Sequence, residues 1–212
     1  MRNGSTQRPY LVAMLTAALV VVAISAWRPW DVQDWLLENA LVAVALPLFV
    51  RGHARMPFTL LSYGALLLFL CLHEIGAHYT YSEVPYGDWI VPIAPSHGPG
   101  TDARNHYDRF VHFCYGLLVI PAAIELFAWR APARGLWRWI LPLTFIMAHS
   151  VVYELVEWGA AVTFGGDLGQ AYLGSQGDPW DAQKDMALAA LGAIVGMALL
   201  AAMRWTPLVG RR

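Results

Sequence analysis

Apolar residues in this chain gather into long runs, not into the alternations of strands or the half-apolar stripes of soluble helices. Runs of roughly 18 or more residues, the length that crosses a bilayer core, recur along the whole length. The pattern predicts helices over about 10–27, 35–51, 57–78, 107–129, 139–164 and 183–205. Two connections are long and rich in Pro, Gly and turn residues: 79–106, with "PYGDWIVPIAPSHGPGTDARN", and 165–182, with "GGDLGQAYLGSQGDPWD". Loops of that length in a compact protein are usually functional. No stretch divides the chain and no internal repeat is visible. The expected fold is an all-α integral membrane protein, one polytopic domain over 1–212 with about six transmembrane helices. Arg2 and Arg8 precede the first run and "AISAW" resembles a cleavage site, but the apolar core exceeds a signal h-region and reads as a retained anchor.

Composition sharpens this reading. The chain is 58% hydrophobic and 14% charged, with mean hydropathy +0.45, against about 25% charged residues in a soluble domain. Arg2, Arg8, Arg51, Arg55, Arg130, Arg134, Arg138, Arg204, Arg211 and Arg212 fall on one side of a six-span arrangement, so both termini are expected in the cytoplasm. Trp27, Trp30, Trp35, Trp129, Trp137, Trp139 and Trp205 sit near span ends, as an interfacial belt would. The net charge of −1 and the scattered basic residues exclude nucleic-acid binding. Cys71 and Cys114 lie inside predicted helices and read as small apolar residues.

The ionisable residues concentrate at the opposite, outer ends of the helices. The third segment ends with His73, Glu74 and His78. The fourth begins with His106, Asp108, Arg109 and His112, and the fifth brings His149, Tyr153, Glu154 and Glu157. The sixth starts with Asp178, Asp181, Lys184 and Asp185, and Glu38 adds to the second. Asp108 and His112, and Asp181 and Asp185, are four residues apart, which places each pair on one helix face. Each charge costs about 2.5–3.5 kcal/mol at mid-membrane, so these groups should face one another, a metal or a water-filled cavity. The inner halves are apolar, and Gly192 and Gly196 form a G-x-x-x-G suited to close packing. A pocket open outward and closed below follows.

The stretch "LHEIGAHYTY" resembles the H-E-x-x-H zinc signature, but His73 and His78 are five residues apart where that motif needs four. Five residues span about 500° of helix, so the rings diverge by roughly 140°. A π-bulge would be needed to bring them to one face. There are plainer readings too: Glu38, Glu83, Asp88 and Asp102 also suit solvated helix ends, Asp178 or Asp181 suits a helix cap, and Arg109 and Lys184 could pair with the carboxylates in a structural network.

"LHEIGAHYTY", "NHYDRFVHFCYG", "YELVEW" and "GDPWDAQKDM" resemble the YjdF-type bacterial inner-membrane proteins, over about residues 30 to 200. The resemblance implies a multi-pass location in the bacterial inner (plasma) membrane and no established activity. The back half is more distantly similar to VanZ-like proteins of glycopeptide resistance, through Asp108-Arg109-Phe110-Val111-His112, Glu154, and Asp181 to Asp185 before Gly192. Arg109 stands where Lys is usual there, and Glu157 where a Gln often follows.

The chemistry expected is that of a membrane-embedded, metal-dependent hydrolase or transferase. Mixed imidazole and carboxylate suit Zn, Mn or Fe, with Asp108, His112, His73, Asp181 and Asp185 as candidate ligands. Glu154, Glu157 and His78 are the candidate catalytic residues. A site at headgroup depth suits a lipid or lipid-linked cell-envelope substrate. No G-x-S-x-G elbow is present. Two alternatives remain at this point: a proton- or ion-coupled transporter, in which Glu125 and His149 would bridge the inner half, and a non-catalytic structural or ligand-binding protein.

Overall fold

A computed structural model describes residues 4–53, 55–86 and 104–207, so Asp88 and Asp102 lie outside the described residues. Among the described residues the chain is helical and without strands. Six long helices appear: α1 Gly4–Ser25, α2 Val32–His53, α3 Leu60–Tyr79, α4 Tyr107–Arg130, α5 Trp137–Phe164 and α7 Asp181–Ala202. A short helix, α6 Gly166–Leu173, precedes α7, and a 3-10 turn Tyr81–Glu83 follows α3. Five of the long helices are apolar over enough residues to cross a bilayer, and α1 contributes a shorter apolar segment, Pro9–Ser25.

The predicted spans are found within about three residues at each end for all but the start of α1, and local chemistry explains the differences. The second helix starts at Val32, ahead of 35, because Asp31 Oδ1 accepts the amides of Gln33 at 2.7 Å and Asp34 at 2.9 Å. This is an N-cap, which sequence periodicity does not register. The third starts at Leu60 behind Thr59, whose hydroxyl accepts the Ser62 amide at 3.3 Å. The segment 165–182 is more ordered than its Gly content suggests. Gly165 at φ 62° ends α5, and α6 folds back against it, with Gly169 over the Ala161 backbone.

The centre of the fold is the α4–α7 pair. A Cβ on Gly116 would strike the Ala189 carbonyl, and one on Gly192 would strike the Phe113 carbonyl. Glycine at both crossings lets the two backbones touch, which matters in a membrane where lipid is as apolar as the helix faces. Ile120, Ile146 and Ala193 are fully buried around this crossing. On α5 the usual amphipathicity is inverted. Val152, Leu155, Trp158 and Val162 are exposed, whereas Ile146, Ser150 and Glu157 are buried. That is the pattern of a helix with lipid outside and polar groups inside.

The first helix is tied into the bundle by polar contacts. Ser25 Oγ bonds Glu74 Oε2 and accepts from Trp35 Nε1 at 3.1 Å. His78 Nδ1 donates to the Ser25 carbonyl at 2.8 Å.

Candidate functional site

The α4–α7 contact brings the first turns of both helices together. Asp108, His112 and Asp185 each offer one ligand atom, and these atoms lie within 4.8 Å of one another. His112 Nε2 is 3.4 Å from Asp108 Oδ1 and 3.6 Å from Glu154 Oε1. Those separations are long for hydrogen bonds. They are close to the edge, about 3.4 Å, of a tetrahedron with metal–ligand bonds of about 2.1 Å. Glu154 reaches this point from α5, so three helices distant in sequence contribute. Glu157, one turn further along α5, is buried within electrostatic reach of Asp108, Glu154 and Glu38.

The cations lie elsewhere. Arg109 Nη2 pairs with Asp178 at 2.5 Å and Asp181 at 3.2 Å. Lys184 pairs with Asp178 at 2.5 Å, and Arg104 pairs with Asp181. These five residues form a layer around the start of α7, above the inner carboxylates. Three positive charges there meet two negative ones, and Asp108, Glu154 and Asp185 receive no direct cation contact among the described residues. Glu154 Oε1 and Asp185 Oδ1 are buried without a hydrogen-bond partner. Buried carboxylates of this kind must be offset by a cation or by protons.

The layer is clipped to the chain before α4. The Gln176 side chain accepts from Asn105 N at 2.9 Å and donates to its carbonyl at 3.0 Å, and Arg104 donates to the Ser175 carbonyl. Gly174 lies over Asp108, and a Cβ there would meet its Oδ2 at 3.8 Å. The Asp178 carboxyl is held below the usual carboxylate range, first by its hydrogen bond from Lys184, then by the Trp180 amide and Arg109. Burial raises the phenols of Tyr81 and Tyr172 above the ordinary tyrosine range.

The remaining candidates are placed differently. Helix α3 is regular throughout, so His73 and His78 diverge as their spacing predicts. His78 faces α1 through Ser25. His73 Nδ1 is 2.6 Å from the Tyr81 hydroxyl, whose ring lies over Gly76. Neither joins Asp108, His112 and Asp185, and Asp181 is taken up by Arg104 and Arg109. Behind His73 lies a second acidic group of Asp34, Glu38 and Glu74, all buried. It is linked to the first through Tyr153, whose hydroxyl donates to Glu38 at 3.0 Å. Sequence reading missed Arg104, Asn105, Gln176 and Tyr172. Their partners lie about seventy residues away or on other helices, and no local spacing announces them.

The fold and site define a polytopic helical membrane protein with a buried acidic and imidazole cluster at one end of its bundle. Residues 10–206 match the family described as "Predicted membrane protein (DUF2238)". The chain is also 34% identical over 192 residues to the "Inner membrane protein YjdF" of Escherichia coli (strain K12), covering 88% of this chain and 85% of the relative. The chain therefore belongs to the DUF2238 family and is a multi-pass inner-membrane protein. No solved structure matches it.

Proposed function

We propose that the protein is a membrane-embedded, metal-dependent hydrolase or transferase for a lipid or lipid-linked envelope substrate. Asp108, His112 and Asp185 are the metal ligands in this reading, and Glu154 is a fourth ligand or the base beside it. The observation that carries it is their convergence from three helices with no Arg or Lys in direct contact among the described residues. The basic layer above leaves one positive charge in excess, against four inner carboxylates once Glu157 is counted. A divalent ion together with one proton, held by Glu157, makes up that difference. Such an ion would polarise a phosphoryl or carbonyl oxygen and acidify a bound water. Glu157, adjoining Glu154, is positioned to relay the proton. In the orientation that the basic residues predict, the site faces the periplasm.

Transport is the second reading, and one observation counts against it. Glu125, the acid expected to carry ions through the inner half, is fully buried and saturated. It accepts from Thr59 N at 2.8 Å, Thr59 Oγ1 at 2.6 Å and Ser62 Oγ at 2.5 Å. That is a cap on the start of α3, a structural task.

The test is metal content by plasma mass spectrometry on detergent-purified protein. Near-stoichiometric zinc, manganese or iron is expected in the wild type, and its loss in folded His112→Ala and Asp185→Ala. Background metal in a folded wild type purified without chelator would remove this reading.

A further inference from the structure

Below the polar cluster the interior does not close. A cleft of about 520 Å³ extends between α1, α2, α3, α4 and α5, within the range of about 300–1,000 Å³ usual for ligand pockets. Along α4 its lining runs from Asp108 to Val119, and along α3 from His73 back to Tyr63. Eleven residues on α4 correspond to about 16 Å, half of a hydrocarbon core of about 30 Å. The walls are aliphatic and aromatic over nearly all of that length. Helix α2 is the loose wall. It packs mainly on α3 and α6, and its inner half leaves Val44 and Leu48 about 60% exposed.

One polar atom in this wall has no partner among the described residues. Ser150 is 2% exposed and its Oγ is unbonded. The residue lines the cleft. Ser150 lies one turn of α5 inward from Glu154. A ligand that satisfies the whole surface is therefore polar at one end, carries a hydrogen-bonding group about 6 Å further in, and is apolar beyond it.

We propose that the cleft seats one acyl chain of an ester-linked membrane lipid, with its head at Asp108, His112 and Asp185 and an ester oxygen accepting from Ser150. The chemistry assigned to the head rests on the metal-site reading above, whereas the seat for the chain is independent of it. A polyprenyl phosphate would fill the apolar length but would leave Ser150 without a partner. The loosely packed α2 gives the chain a lateral way in from the bilayer.

The test uses the full chain in vesicles of phosphatidylethanolamine and phosphatidylglycerol, doped with a phospholipid carrying a photoreactive diazirine at mid-chain. Adducts are mapped by peptide mass spectrometry. They are expected on the stretches of α3 and α4 that line the cleft, and to fall about fivefold in Ala45→Trp and in Leu41→Trp, which fill the loose wall. Val152→Trp, on the lipid-facing side of α5, leaves them unchanged. Unlabelled ester lipid displaces the probe about fivefold better than its diether, the worth of one neutral hydrogen bond, and Ser150→Ala abolishes that preference. In His112→Ala the chain adducts persist while metal is lost, so the two readings fail separately. Adducts confined to the outward faces of α2 and α5 would overturn the proposal. So would adducts unaffected in both folded tryptophan variants, equal displacement by ester and diether, or stronger displacement by a polyprenyl phosphate.

Discussion

Replacing Gly192 by alanine adds one methyl group where α7 crosses α4. The methyl would collide with the Phe113 carbonyl oxygen and lie 3.0 Å from both the Phe113 carbonyl carbon and the Leu117 nitrogen. These are backbone atoms of a regular helix, and they cannot step aside as a side chain would. Ordinary contacts between carbon atoms begin near about 3.5 Å, so the helices must part by roughly 1 Å at the crossing. Overpacking of this kind costs about 1–3 kcal/mol, which lowers the Tm by about 2–4 °C per kcal/mol in a chain of this size. The effect on the site is larger. Asp185 lies seven residues before Gly192, about 10 Å along the same helix, and moves with it. Asp108 and His112 stay on α4. Metal–ligand distances tolerate about 0.2 Å, so a displacement several times larger removes Asp185 from the coordination sphere. Gly192→Ala is therefore expected to purify folded, melt a few degrees lower, and hold about a tenth or less of the wild-type metal. Gly52→Ala, where the added methyl meets nothing within 4 Å, is the control and keeps its metal. The assay is metal stoichiometry beside a thermal melt in the same detergent. Full metal in Gly192→Ala would refute the argument that this helix contact sets the site geometry.

Glu125→Ala withdraws the acceptor from three donors at the start of α3 and should cost about 2–4 kcal/mol. Glu125→Gln should cost about half as much, and neither should change metal content in protein that remains folded; a melt unchanged in Glu125→Ala would count against the cap. Asp178 has a lowered pKa in the folded protein, so its contribution to holding the α6–α7 segment is fully present above the ordinary value of 3.8 and declines as pH falls below it toward the folded value. The difference in amide exchange at residues 174–180 between wild type and Asp178→Asn, corrected for intrinsic rates, should accordingly be constant between about pH 8 and pH 5. A difference that shrinks within that window would contradict the Arg109–Asp178–Lys184 contacts.

The hydrophobic runs determined the helices by themselves, because spanning a bilayer demands a length and an apolarity that few other folds share. The spacing of His73 and His78 argued against a one-helix zinc motif, since a regular helix fixes angle by residue count, and the regularity of α3 removed the π-bulge that could have undone it. The G-x-x-x-G of the last helix likewise announced a close crossing. Sequence also assembled the right neighbourhood of ionisable residues, because charge is too costly in lipid to be placed idly. It could not sort them. Whether Arg109 neutralises Asp108 or Asp178 depends on how α7 is rotated against α4, and glycine contacts about two turns away from the carboxylates set that rotation. The same rotation puts Asp185 beside His112 and Asp181 beside Arg104, although the two aspartates are only one turn apart. The 165–182 segment was legible only as a loop. Its folding over Asp108 rests on contacts with residues 104 and 105, about seventy positions earlier, and such pairings belong to the tertiary structure alone.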